Sequence, residues 1–336
     1  MTTSGTSAFN PAATAIVSMA LRKLNVIAED ETPTAGQYAD TVLAMNAMIK
    51  EWMATGIHVW TEEEAILFFQ QGQARYLLGG TGTGGTGPDN CCDANSWVSM
   101  QVAAPIGAGA TSVTVNSTTG YNGLTVNNGD NFGIVLDSGA AFWTTVSGAP
   151  VNNVVTFATP LPAGASASAQ NNVFDYATKI VRPLKVPRSR TIYYQGGQNN
   201  GPRLTPMSVL SRKEYMDLPN PLNPGITTQF FYTPQLVSGE YYAWPTPQQA
   251  NIGARFTWYR PLMDINTPAN TVDFPQEWIN AIGWNLAKEM GPEFDCPPQR
   301  WAIILQESEK KLDLVQGFDR ESEPIYFGMS YDEAQR

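Results

Sequence analysis

The chain has 336 residues, enough for about two folded units, and its 43% hydrophobic content is ordinary for a globular protein. Charged residues make up 15%, well under the usual quarter, which excludes a disordered chain or a charge-laced coiled coil. Thirty acids against twenty bases give a net charge of −10, a field that repels nucleic acid and disfavours a general nucleic-acid binder.

Taken in chain order, residues 11–24 read as a helix, with Asn10 as cap, Pro11 in the first turn and Asn25 as the stop. A second helix opens at Thr34, where Gln37 stands at capping-box spacing, and carries Tyr38, Val42, Met45, Ile49, Trp52 and Met53 on one stripe until Gly56. Its far side carries Asp40, Asn46 and Lys50. Two such helices cannot bury both stripes on each other, so partners are expected elsewhere in the chain. Residues 275–290, with Trp278, Ile279, Ile282 and Leu286 on one face, and a helix from Pro298 to Gly317 supply them. The residues between read as short β-branched or alternating runs punctuated by Gly, Pro and Asn, an all-β middle.

The expected class is therefore α+β: an α-helical bundle formed by residues 1–60 and 273–320, and a β-rich body of residues 61–78 and 177–272. A Gly/Thr linker at 79–88 leads into an inserted small β-sandwich or barrel at 89–176, and an extended tail occupies 321–336. A composition break marks the insertion. Residues 76–178 hold no Lys or Arg, whereas residues 179–213 hold eight bases and no acid: Lys179, Arg182, Lys185, Arg188, Arg190, Arg203, Arg212 and Lys213. From Asp273 onward thirteen acids face six bases. The basic strip reads first as an intersubunit contact with the acidic helices and second as a contact with DNA phosphates lining a channel.

Catalytic and cofactor patterns are sparse. His58 is the one histidine and sits between apolar neighbours, without the spacing of a triad or a zinc site. The run Gly80-Thr81-Gly82-Thr83-Gly84-Gly85 matches a dinucleotide fingerprint on paper, but Pro88 and Asp89 follow where a helix must open, so it reads as linker. Cys91, Cys92 and Cys296 form neither a disulfide framework nor a zinc pattern, and the adjacent pair reads as small buried hydrophobes. Carboxylates at Glu62-Glu63-Glu64 and around Glu289, Glu293 and Asp295 leave open a glycosidase-like pair or a site for a hard cation. No run of 18 apolar residues and no secretion-signal order is present, so no membrane partner is expected. The segment Glu323-Pro324-Ile325-Tyr326-Phe327-Gly328-Met329-Ser330-Tyr331 is apolar where a terminus is usually polar. It either tucks onto its own domain or anchors a partner, and the partner is the preferred reading.

Two pieces of the chain resemble the head-to-tail adaptor family of short-tailed bacteriophages, also called packaged-DNA stabilisation or tail accessory proteins. The first is Ala20-Leu21-Arg22-Lys23-Leu24-Asn25-Val26-Ile27-Ala28, Pro33-Thr34-Ala35, Met45-Asn46-Ala47-Met48-Ile49-Lys50-Glu51-Trp52 and Gly56-Ile57. The second is Phe274-Pro275-Gln276-Glu277-Trp278-Ile279-Asn280-Ala281-Ile282-Gly283-Trp284-Asn285-Leu286-Ala287 with Pro292-Glu293-Phe294. The resemblance implies a virion structural protein; some adaptors of the family are associated with cell-wall hydrolysis, but no matching catalytic constellation stands in this sequence, so no enzyme, cofactor or metal is expected. It implies a subunit of a dodecameric ring below the portal, closing the DNA exit channel and presenting sites for a tail nozzle or tube and for fibres or spikes. The chain would be made in the host bacterial cytoplasm, and double-stranded DNA would pass without sequence recognition. On this reading Ile325, Tyr326, Phe327, Met329 and Tyr331 dock on the portal. Residues 89–176 exceed the minimal adaptor pattern and resemble a decoration domain. The alternative is a peptidoglycan-degrading enzyme working through Glu62–Glu64 and other carboxylates.

Overall fold

The computed structural model describes residues 9–56, 59–80, 88–120, 122–194 and 203–318. His58, residues 81–87 of the glycine run and the tail residues Ile325, Tyr326, Phe327, Met329 and Tyr331 lie outside them. Five α-helices stand among the described residues: α1 (Ala13–Leu24), α2 (Ala35–Thr55), α3 (Arg212–Met216), α4 (Ile279–Met290) and α5 (Pro298–Phe318). The fold is mixed, with these helices and a β-rich body. The chain divides into two compact units, Met1–Trp60 with Leu262–Arg336, and Thr61–Pro261.

Local chemistry sets the helix ends in the first unit. The Thr34 side chain accepts from the Gln37 N–H at 3.3 Å while Gln37 Oε1 accepts from the Thr34 N–H at 2.9 Å, and Gly56 closes α2 with φ 96°. Helix α1 begins later than the proline suggested. Ala12 is extended and pairs with Thr271, the Ala13 N–H donates to Asn270 O at 2.7 Å, and Asn10 caps nothing. Asn25 ends α1 in left-handed backbone (φ 64°). Helix α4 is the hub, packed on α1, α2 and α5. Trp52 of α2 and Trp60 meet Phe274 and Trp278 in one aromatic cluster with ring centroids 4.9–6.1 Å apart.

Residues 262–272 were expected in the β-rich body and fold instead with the helices. The polar side of α2 explains it. Asn46 Nδ2 donates to Ile265 O and Asn46 Oδ1 accepts from the Ile265 N–H, each at 3.0 Å, so one amide side chain mimics a strand neighbour. Lys50 Nζ donates to Leu262 O at 2.8 Å and pairs with Asp264 at 2.6 Å. Asn46 and Lys50 therefore hold a segment of chain and do not simply face water.

Among the described residues the second unit holds sixteen strands. They are β1 (Glu62–Phe68), β2 (Arg75–Leu78), β3 (Cys91–Asp93), β4 (Trp97–Gln101), β5 (Ser112–Thr114), β6 (Asn131–Val135), β7 (Ala141–Thr145), β8 (Val154–Thr156), β9 (Asn172–Tyr176), β10 (Lys185–Tyr193), β11 (Arg203–Val209), β12 (Pro224–Gly225), β13 (Gln229–Pro234), β14 (Gly239–Trp244), β15 (Thr246–Pro247) and β16 (Ile252–Tyr259). Eight form one sheet in the order β2-β14-β13-β11-β10-β16-β1-β3, antiparallel except between β11 and β13. The sheet curls into a nearly closed barrel. Leu67, Tyr76, Met207, Phe230, Tyr241 and Phe256 converge in its core. Its two edges approach at Asp89, whose N–H donates to Leu77 O at 2.8 Å and whose Oδ2 accepts from the Leu77 N–H at 2.6 Å. Thr61 and Arg260, at the two ends of the unit, also bond at 3.0 Å, so the chain enters and leaves side by side.

A second sheet, ordered β4-β9-β6-β7, and the antiparallel pair of β5 with β8 enclose Val98, Met100, Phe132, Ile134, Phe157 and Val173. Residues 89–176 were expected as a separate module reached through a flexible linker. They belong instead to the same compact unit as the barrel. Strand β3 pairs with β1 at the barrel edge, and a third core joins Ile66, Phe68, Cys92, Ile192 and Tyr194 of the barrel sheet to Trp97, Phe174 and Tyr176 of the second sheet. The cause is β1 itself. Ala65 and Leu67 face the barrel core while Ile66 and Phe68 face the other sheet, a strand buried on both faces.

The start of the presumed linker is also fixed. Gly79 (φ +62°) and Gly80 (φ +82°) lie against backbone: an added Cβ would come within 2.0 Å of Arg182 N and 2.1 Å of Val237 O respectively. Gly79→Ala is therefore expected to lower stability by at least about 2 kcal/mol, from overpacking plus left-handed strain. Gly72→Ala, with a positive φ but open space around it, should cost only the strain, and denaturant melts of the two variants test the difference.

Candidate interaction surface

Strand alternation decides which of the predicted basic residues share a face. Lys185, Arg188 and Arg190 project from β10 to the outside of the barrel, while Ser189 and Thr191 turn inward. Inside, the Ser189 hydroxyl meets the Tyr241 hydroxyl at 2.9 Å, which satisfies two buried groups at once. The other members of the strip go elsewhere. Lys179 donates to Pro88 O at 2.6 Å, and Arg182 donates to Gln235 O at 3.2 Å. Arg203 lies over the Tyr193 ring at the far end of β11, 5.8 Å from its centroid. Arg212, in α3 beside Lys213, donates to Thr233 Oγ1 at 3.0 Å and covers Phe231. The strip is thus continuous in sequence and dispersed in space, because the chain crosses the sheet between β10, β11 and α3.

Arg255 of β16, which was not anticipated, joins the three outward bases of β10. It stands directly opposite Arg190. Its signal was present as the outward position between the inward Ala254 and Phe256, but a single base in an apolar run does not register as a charge cluster. Like charges facing each other across two strands destabilise the pair unless an anion sits between or beside them. Glu64 of β1 supplies one: Arg255 Nε donates to Glu64 Oε2 at 2.9 Å. Arg190 is exposed, with no acceptor among the described residues. Arg188 stands opposite Thr257, one step along the same face. The exposed Arg190 on this face can therefore accept a carboxylate or phosphate presented by another molecule.

Two of the carboxylates considered for catalysis, Glu63 and Glu64, are ion-paired at this end of the barrel. Glu63 accepts from Arg260 Nε at 2.7 Å and Glu64 is bound by Arg255, while Glu289, Glu293 and Asp295 are exposed around the end of α4. No cluster of three His, Cys, Asp or Glu suited to a metal exists among the described residues. Cys91 and Cys92 point to opposite faces of β3, into the barrel core and the inter-sheet core, and burial pushes both thiols well above their usual range. They are packing residues. No helix among the described residues is long and apolar enough to cross a membrane.

The most perturbed carboxyl was not foreseen. Asp175 of β9 is buried at 2% exposure, hydrogen-bonds the Asp130 side chain and has its Oδ1 unpartnered. Burial first and the neighbouring Asp130 second raise it from 3.8 to about 8. Asp130 Oδ2 accepts from the Asn127 N–H at 2.7 Å, which favours placing the shared proton on Asp175.

No protein-family model matches the chain, and no curated protein matches it.

The Asp130–Asp175 pair makes stability depend on pH with a definite sign. The folded chain holds a proton on Asp175 that the unfolded chain releases, so stability falls as pH rises from about 4 to about 8 and levels off above. Asp175→Asn should equal the wild type near pH 4 and exceed it by a few kcal/mol at pH 9. Thermal melts of both proteins across that range check the divergence; parallel curves would place the shared proton elsewhere.

Proposed function

We propose that the chain is a structural subunit of a phage virion, a head-to-tail connector that forms a dodecameric ring below the portal. One observation carries the reading. The two sequence stretches that resemble the adaptor family lie more than two hundred residues apart, and they fold as one unit in which α1 and α2 pack on α4 and Trp52 meets Trp278. The β-rich unit leaves from and returns to this helical unit through neighbouring strand ends, as an insertion requires.

In this reading the helices form the adaptor's bundle, and the sheet of residues 97–176 is an outward module that carries fibres or braces the tail. The basic face around Arg188, Arg190 and Arg255 meets acidic residues of a neighbouring copy, an arrangement that closes into a ring when each subunit offers one patch to the next. The acidic balance of the chain suits a channel along which DNA slides without sticking. The tail residues Ile325, Tyr326, Phe327, Met329 and Tyr331 anchor the portal.

Mass photometry of the chain mixed with the portal from the same source tests this. Twelve chains of 36.6 kDa should add about 439 kDa to the portal. Removing residues 325–336 should abolish the addition. The double variant Arg188→Glu, Arg190→Glu should bind the portal in sub-stoichiometric numbers, because neighbours repel. Absence of association at every salt concentration overturns the connector reading.

A further inference from the structure

The first unit carries an open groove of about 780 Å³ between the end of α1, the middle of α4 and the first turns of α5. Its floor is apolar: Met19, Trp284 and Ile303, the last 58% exposed. Its rim is basic, formed by Arg22, Lys23 and Arg300. The rim is held in place. Arg300 donates to Lys23 O at 2.5 Å and to Arg22 O at 3.3 Å, capping the last carbonyls of α1, and the Lys23 ammonium lies 3.9 Å from the centre of the Trp284 ring. Burial, and then the nearby Lys311, lower the Lys23 pKa, so a negative charge entering here relieves a local excess of cations.

An occupant must be apolar and acidic together. The chain's own continuation past α5 has that composition: Asp319, Glu321 and Glu323 precede Ile325, Tyr326 and Phe327, with Arg320 the one base among residues 319–331. The reach also agrees. From Ile303 to Phe318 the helix advances about 22 Å at 1.5 Å per residue. An extended chain covers that distance in roughly seven residues, which brings Ile325 to Phe327 back level with Ile303.

We propose that the groove is the docking site of this chain's own segment 319–331. Ile325, Tyr326 and Phe327 cover Ile303 and Trp284, and the preceding carboxylates lie along the Arg22, Lys23 and Arg300 rim. The inference does not rest on the connector reading. If both hold, portal binding and groove binding compete for the same aromatic residues.

Disulfide trapping in the full chain tests it, in a Cys296→Ser background with Gln299→Cys and Tyr326→Cys, oxidised with diamide at low protein concentration. The expected result is a rapid intramolecular disulfide whose rate falls at least tenfold when Ile303→Asp or Arg22→Glu is added. Both positions are exposed, so the fold should survive either change. Equal rates in all backgrounds would mean random encounters of a tethered segment, and overturn the proposal. Disulfides formed mainly between chains would assign the groove to a second copy, and overturn it equally. No portal is present, so the assay stands apart from the connector test.

Discussion

Strand β1 is the constraint on which the β-rich unit depends. Its residues alternate strictly between two cores, and neither core closes without it. Phe68 alone touches five aromatic rings, those of Trp97, Trp143, Phe174, Tyr176 and Tyr194, at centroid distances of 4.9–6.0 Å. On the other face Leu67 and Phe69 fill the barrel. A shift of β1 by one residue would exchange these two sets and place Phe68 in the space shaped for Leu67. The pairing of β1 with β16 over seven consecutive residues resists that shift, and β3 on its other side fixes it again. The two sheets thus form one cooperative body although their compositions differ sharply.

This dual burial also explains what was legible in the sequence. The helices were, because their signals are local: Thr34 and Gln37 lie three residues apart, and Asn25 and Gly56 need only left-handed backbone to stop a helix. A β-rich middle was legible from alternation and turn residues, although it was expected to be all-β and α3 lies within it. The boundary at residue 89 was not, because a change in composition records what a segment's surface carries and not what its inner face packs on. The stretch from 76 to 178 holds no Lys or Arg and only five aspartates, yet Trp97, Phe174 and Tyr176 bury their apolar area on the barrel's outer face.

The candidate surface shows the same limit. Eight bases within 35 residues read as one strip, but strand geometry leaves three of them on a common outward face and adds Arg255 from a strand some sixty-five residues further on. Proximity in sequence predicts proximity in space within one strand or helix, and fails across a chain crossing. The role of Asn46 and Lys50 was hidden for a related reason. A polar residue opposite an apolar stripe reads as solvent-facing, and nothing local reveals that residues 262–265 return to bond with it.

One residue, Asp89, bridges the gap between the two edge strands of the barrel. An eight-stranded sheet whose first and last strands fail to pair leaves two rows of unmet backbone groups, a liability for edge-to-edge association. Asp89 answers part of it by acting as a strand residue with its backbone N–H and as an acceptor with its carboxylate, both toward Leu77. Gln73 Nε2 holds the other carboxylate oxygen at 3.0 Å, and Lys179 secures the preceding carbonyl. Because Asp89 also leads into β3, and β3 places Cys92 in the inter-sheet core, the seam and the junction between the sheets are one local structure. Opening the seam therefore loosens the second sheet as well.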